Sequence, residues 1–405
     1  MFVSNLSRCA GIVFILITGI SGAVAAPELT LAETERLALE QAPWLQHHLT
    51  NADAAAERAV YEGRLPDPQL TLGVANLPTD SYRLDREDMT MTVVGVRQAF
   101  PPGKTLALRS ERAEKELARE QARVQMERRN LIRQVRQAWL ELYYQEQSLR
   151  TLDESRRLAH KQLESAEARY RAAQETQQSV LRSRQALARL DERAPMIRAQ
   201  TLRLKAQLAR WIGEAAYQPL PAELPVLPEA PGAFDYTHHP EWIATQTIST
   251  STREYKPGMM LDVSYGFRRP MPDGTERPDL LSAMVTLDLP VFREKRQDRK
   301  LAEKQTMEAG ARFELDDKRR ELESMDLSLR AELDGLTARE KIFAERLIPA
   351  TRREAQVTVA GFARDQSEYR DALMKSLDAE LEYLRLRVDR AKAQAELLYL
   401  TGEQS

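Results

Sequence analysis

Apolar residues recur along most of this chain at the spacing of helices packed along one seam. Leu117, Val124, Leu131, Val135, Ala138, Leu142 and Leu149 keep a spacing near 3.5 residues. Leu377, Leu381, Leu384, Val388, Ala391, Ala395 and Leu398 step by 4-3-4-3 without interruption. That rhythm predicts long coiled-coil helices. From Thr105 to about Ile212 there is no glycine, and the one proline is Pro195. A helix from Thr105 to about Ala172 spans roughly 100 Å at 1.5 Å per residue, far more than a compact domain needs.

Four shorter runs alternate at period two instead. Leu70, Leu72 and Val74 share one face, as do Met89, Met91 and Val93, while Met284, Thr286 and Asp288 lie opposite Val285, Leu287 and Leu289. These runs predict strands over 69–75, 89–100, 259–267 and 281–291. Turn residues join them at Leu77-Pro78-Thr79-Asp80 and Met271-Pro272-Asp273-Gly274. Two readings fit the strand pattern. One is a small antiparallel sheet packed on helices; the other is a set of tilted transmembrane strands, whose length is about 9–11 residues. Four strands cannot close a membrane barrel, but three copies would supply twelve.

A shift of 191 positions aligns the two strand pairs. It matches Pro66 with Pro257, Leu70 with Leu261, Leu72 with Val263, Val94 with Val285, Val96 with Leu287, and Lys104 with Lys295. The chain therefore reads as a duplication. The first copy spans 26–215 and holds a helix, the strand pair 69–100 and a helical hairpin over 105–212. The second spans 240–405, with a short helix, the strand pair 259–291 and a hairpin over 295–401. Each strand pair ends in a redirecting junction, Phe100-Pro101-Pro102-Gly103-Lys104 or Pro290-Val291-Phe292-Arg293-Glu294-Lys295. Upstream, Thr30 with Glu33 three residues on is a capping box, the first helix yields to Pro43, and a second stretch runs to about Glu62. Between the copies, residues 216–239 form a proline-rich connector that is either an equatorial belt or a plain linker.

Composition adds a destination. Arg8, an apolar run over 10–20 and Ala23-Val24-Ala25 form an export signal over 1–25. Its removal takes the single cysteine, Cys9, so the mature chain has neither disulfides nor thiolate metal sites. The net charge of −2 becomes about −3, which leaves no electrostatic footprint for nucleic acid. No remaining segment is apolar enough to span a bilayer as a helix. His47-His48 and His238-His239 read as structural or solvent-exposed pairs, because adjacent histidines on a helix point about 100° apart and no third ligand accompanies them. Trp44 and Trp242, each just after a proline, read as packing anchors. No nucleotide loop, nucleophile elbow or catalytic dyad is present, so neither enzymatic activity nor a cofactor is expected.

The export signal, duplicated strand pair, Phe-Pro-Pro-Gly-Lys junction and paired hairpins together resemble the TolC-like outer-membrane efflux family over essentially 29–402. The stretch from Leu65 to Lys104 looks most like its heavy-metal cation branch. The resemblance implies a mainly α fold with a small β part: an antiparallel coiled-coil helical barrel plus four transmembrane strands per protomer. It further implies a homotrimer with a twelve-stranded β-barrel set in outer-membrane lipid. The expected partners are a periplasmic adaptor and an inner-membrane RND-type pump. Phe362 to Ala372 resembles the family's inner-helix tip, where Glu368 and Asp371 would project into a closed pore. Their spacing of three puts both carboxylates on one helical face, and Arg364 and Arg370 would pair with them between protomers. Gln174, Glu175, Thr176 and Gln177 fall at the outer-helix tip, where the adaptor would dock. The family often has glycine where Ala173 and Phe362 stand, so the tip turns are expected to depart from its geometry. Pro240 to Pro257 is also shorter than Pro43 to Pro66, and 245–252 is rich in helix-poor residues, which predicts a local defect there. An organic compound or a secreted protein is an alternative cargo. A periplasmic adaptor, with one hairpin between glycine-rich lipoyl-like halves, is an alternative identity that the two hairpins oppose.

Overall fold

The structure is a computed structural model that describes residues 28–232, 234–246, 258–289, 291–360 and 366–402. The export signal with Cys9, the segment 247–252 and Arg364 lie outside the described residues.

Helices form wherever the seam spacing runs unbroken. Helix α1 (Leu31–Gln41) starts at Thr30, whose hydroxyl accepts the Glu33 amide at 3.2 Å. Only half of the capping box forms, because the Glu33 carboxylate turns instead to Arg36 at 2.6 Å. Ala42 separates α1 from α2 (Pro43–Tyr61), with Pro43 opening the second helix, where its missing N–H has no partner to lose. The long helix α3 (Thr105–Arg171) runs 67 residues, about 100 Å, and returns as α4 (Gln177–Ile212). In the second half, α5 (Pro240–Gln246) is followed after the sheet by α6 (Gln297–Ile342), α7 (Ile348–Ala360) and α8 (Gln366–Thr401). Residues 245 and 246 are still helical in α5, and the remainder of the expected defect falls outside the described residues. A wider π-helical turn over Phe343–Leu347 joins α6 to α7 just before Pro349. Proline has no N–H to donate, and the looser turn absorbs the missing bond without ending the helix. Among the described residues no helix is long and apolar enough to cross a membrane.

The strands β1 (Gln69–Ala75), β2 (Met91–Phe100), β3 (Met259–Phe267) and β4 (Leu280–Leu287) form one antiparallel sheet in the order β1-β2-β3-β4. Two boundaries differ from expectation: β2 starts at Met91 because Met89 accepts a bond from the Asn76 side chain at the hairpin, and β4 stops at Leu287. Register stacks Leu72 on Val94, Val94 on Tyr265, and Tyr265 on Leu281. One face is therefore apolar, with Leu70, Leu72, Val74, Val94, Val96, Val263, Tyr265, Leu281, Val285 and Leu287. The other carries Thr71, Gly95, Arg97, Asp262, Ser264 and Ser282, and there the opposed Arg97 and Asp262 pair at 2.8 Å. Met91 and Val93 lie on this second face, so the methionine-valine alternation of β2 does not mark its apolar side. Residues 191 apart, such as Leu72 and Val263 or Val94 and Val285, share a face.

The main core lies midway along the helices, where α1, α3 and α4 meet around Leu131, Val135, Trp139, Leu142, Leu208, Trp211 and Ile212. Trp139 stacks on Tyr143 at 5.7 Å, and its indole donates to the Leu29 carbonyl at 3.0 Å. Arg136, almost fully buried, forks onto Glu35 of α1 at 2.7 and 3.1 Å. A second cluster of Leu152, Ala159, Leu190, Ala194 and Leu377 sits nearer the α3–α4 turn. The connector crosses three helices as a belt. Tyr143 of α3 donates to Ala222 O at 2.9 Å, Gln394 of α8 to Pro228 O at 2.6 Å, and Arg330 of α6 to Pro231 O at 2.9 Å. Leu220 is buried in the core.

Candidate functional site

The end of the helices remote from the sheet gathers the residues expected at a gate and a docking tip. There α3 ends at Ala172, and Ala173 adopts φ +58°. The Gln174 amide bonds back to Arg169 O at 2.9 Å, and the Ala173 amide to Tyr170 O at 3.0 Å. Those two bonds make a complete Schellman closure, which normally uses glycine at the left-handed position. Alanine thus takes the position that glycine usually holds in this closure, and Phe362, at the other tip, lies outside the described residues. The two closing bonds hold alanine in a conformation that costs roughly 1–2 kcal/mol for a residue with a Cβ. Helix α4 then opens at Thr176, whose hydroxyl accepts the Ser179 amide at 3.2 Å. Gln174, Thr176 and Gln177 are exposed and Glu175 is half-buried, so the expected docking residues share one protruding turn.

Glu368 and Asp371 lie in the first two turns of α8, both exposed. Their surroundings differ. Arg370, with a side chain only 12% exposed, contacts Asp371 of its own chain at 3.6 Å. It lies in a groove between α4 and α8 lined also by Arg182, Gln185, Ala186, Arg189 and Met374. Asp371 thus pairs with Arg370 at the edge of a groove that also holds Arg182 and Arg189, whereas Glu368 makes no ion pair among the described residues. Sequence reasoning missed Arg182 and Arg189. Their seven-residue spacing marks one face of α4, but nothing in the sequence says which helix that face meets. Further along, Arg193 of α4 reaches Asp378 of α8 at 3.1 Å, so the two helices stay cross-linked by charge.

The histidine pairs divide by burial. His47 meets Asn51 at 3.2 Å, and His48 packs edge-on to Trp44 at 5.8 Å. His238 pairs with Asp235 at 3.0 Å, and His239 is buried and accepts the Glu241 amide at 3.3 Å. Burial pushes the His239 imidazole down to about 4, so it is neutral near pH 7. Among the described residues no group of three or more His, Cys, Asp or Glu side chains is placed to hold a metal ion. Trp242 packs edge-on to Tyr236 at 4.8 Å.

No protein-family profile and no curated protein sequence matches the chain. Solved structures do. A membrane protein from Pseudomonas aeruginosa superposes with a TM-score of 0.77 at 16% identity, over 92% of this chain and 93% of that one. The outer membrane protein VceC of Vibrio cholerae gives 0.75 at 15% identity, over 92% and 96%. CusC, described as forming a transmembrane channel, gives 0.77 at 13% identity over 94% of each chain. The chain therefore has the fold of the TolC-like outer-membrane channel proteins, mainly helical with a small antiparallel sheet.

Proposed function

We propose that this chain is the outer-membrane exit duct of a tripartite efflux pump. In this reading three protomers close their sheets into a twelve-stranded barrel, and the hairpins form a tunnel into the periplasm. The observation that carries it is the sheet. Among the described residues no helix lies over its apolar face, leaving Leu72 67% and Leu281 74% exposed, and its outer strands β1 and β4 have no further neighbour. Such a face and two such edges are costly in water. Hydrocarbon on the face and a second and third copy at the edges satisfy both at once. Outer-membrane lipid then covers the apolar face, and the Arg97–Asp262 face lines the lumen. A periplasmic adaptor docks at Gln174, Glu175, Thr176 and Gln177 and couples the duct to an inner-membrane RND-type pump. Glu368 and Asp371 ring the closed end, and a metal cation is the cargo that a carboxylate constriction and the Leu65–Lys104 resemblance favour.

Sucrose-gradient separation of inner and outer membranes tests the location. The chain is expected in the outer-membrane fraction, and recovery in the soluble periplasm would overturn the duct.

A further inference from the structure

We propose that the junctions after β2 and β4 form a basic collar, made by Lys104, Arg109, Arg293, Lys295, Arg296 and Arg299, that binds the headgroup phosphates of anionic glycerophospholipids in the periplasmic leaflet. The proposal rests on the duct reading, which supplies the bilayer; the residues supply the rest. In an antiparallel order β1-β2-β3-β4, the second and fourth strands run the same way, so both junctions emerge at the end of the sheet that faces the long helices. Five basic residues against two acidic ones occupy 291–300, and three against one occupy 100–112. At the opposite end the excess is gone, with two basic and four acidic residues in the 76–90 loop and three of each in the 268–279 loop. The charge therefore belongs to one level of the molecule.

All six collar residues are exposed, and none makes an ion pair among the described residues. Elsewhere the chain pairs its cations readily, as in Arg156–Asp191 at 2.5 Å, Arg184–Glu167 at 2.7 Å and Arg390–Glu340 at 2.6 Å. The approach to the collar is apolar. Val285 and Leu287 on the uncovered face lead into Leu289, Val291 and Phe292, each more than 70% exposed, immediately before Arg293. Aliphatic, then aromatic, then basic is the order a strand meets on leaving hydrocarbon for headgroups, with long cationic side chains reaching the phosphates. Each Lys or Arg at an anionic surface strengthens attachment by roughly fivefold at moderate salt.

The test uses the full-length protein purified in detergent and titrated with palmitoyl-oleoyl phosphatidylglycerol or phosphatidylcholine, counting bound lipids by native mass spectrometry. The phosphatidylglycerol complex is expected to form at least about tenfold more tightly, and the preference to shrink as salt is raised. The variant Arg293→Gln, Lys295→Gln, Arg296→Gln, Arg299→Gln should lose it. Arg293→Lys, Arg296→Lys, Arg299→Lys, which keeps every charge, should retain it and shows that the fold tolerates change there. Equal binding of the two lipids, or an undiminished preference in the glutamine variant, overturns the collar. Displacement of phosphatidylglycerol by equimolar inorganic phosphate overturns it too, since a general anion site would then explain the charge. Conductance of the unaltered protein in neutral phosphatidylcholine bilayers separates the two readings. A protein found in the outer membrane, or conducting in that bilayer, with no lipid preference sinks the collar alone, and recovery in the soluble periplasm sinks the duct.

Discussion

Ala173 shows how much a single residue can be asked to bear at the tip. Its left-handed conformation is imposed by two backbone hydrogen bonds from the residues that follow the helix, and its methyl group opposes them. Ala173→Gly is expected to stabilise the turn by about 1 kcal/mol, roughly fivefold slower amide exchange at Gly-substituted 173 and at Gln174. Faster exchange would contradict the strain assigned here. The two acids of α8 also separate at this scale. Asp371 contacts Arg370 in a groove lined also by Arg182 and Arg189, while Glu368 has no cationic partner among the described residues. In planar bilayers Glu368→Ala should therefore reduce cation selectivity more than Asp371→Ala, read as the reversal potential in a salt gradient. An unchanged potential in the double variant would argue against acidic rings, and a larger effect from Asp371 would reverse their assignment.

At the scale of elements, α3 and α8 are locked by charge as well as by their seams. Glu141 of α3 receives Arg385 of α8 at 2.8 Å and also bonds Lys392. Burial raises its carboxyl, but the hydrogen bonds and charges of Lys392 and Arg385 outweigh that and hold it below the usual carboxylate range. A lowered folded-state value means the contribution is fully present above the unfolded carboxylate value of about 4.3 and disappears as pH falls through the folded one. Glu141→Gln should thus lower the midpoint of thermal unfolding at pH 7, with the difference from the parent protein shrinking as pH falls through the lowered folded-state value. A difference that does not change with pH would assign the loss to packing. These seams were legible in the sequence, because Val135, Leu142, Val388 and Leu398 are buried where their heptad spacing places them. The Thr30 cap and the strand cores were legible for the same reason: each is set by neighbours within a few residues. The face of β2 was not, since Val93 and Val94 are both apolar and only pairing with β1 and β3 decides between them. Neither was the turn before Pro349, whose flanks keep helical patterning, nor the Arg182–Arg189 groove, which exists only once α4 meets α8.

At the scale of the whole molecule, one protomer is an unfinished object. Its helices bury a core of their own around Trp139, yet among the described residues nothing covers the apolar face of its sheet or pairs its two edges. The length of α3, about 100 Å from one sheet junction to the tip, makes sense for a tunnel and not for a domain. Both features follow if the functional particle contains three chains, with β4 of each protomer beside β1 of the next. Native mass spectrometry of the particle extracted from membranes in mild detergent measures that directly. A dominant species of three chains is expected. A stable, monodisperse single chain would contradict it, because four strands with both edges open cannot close a barrel.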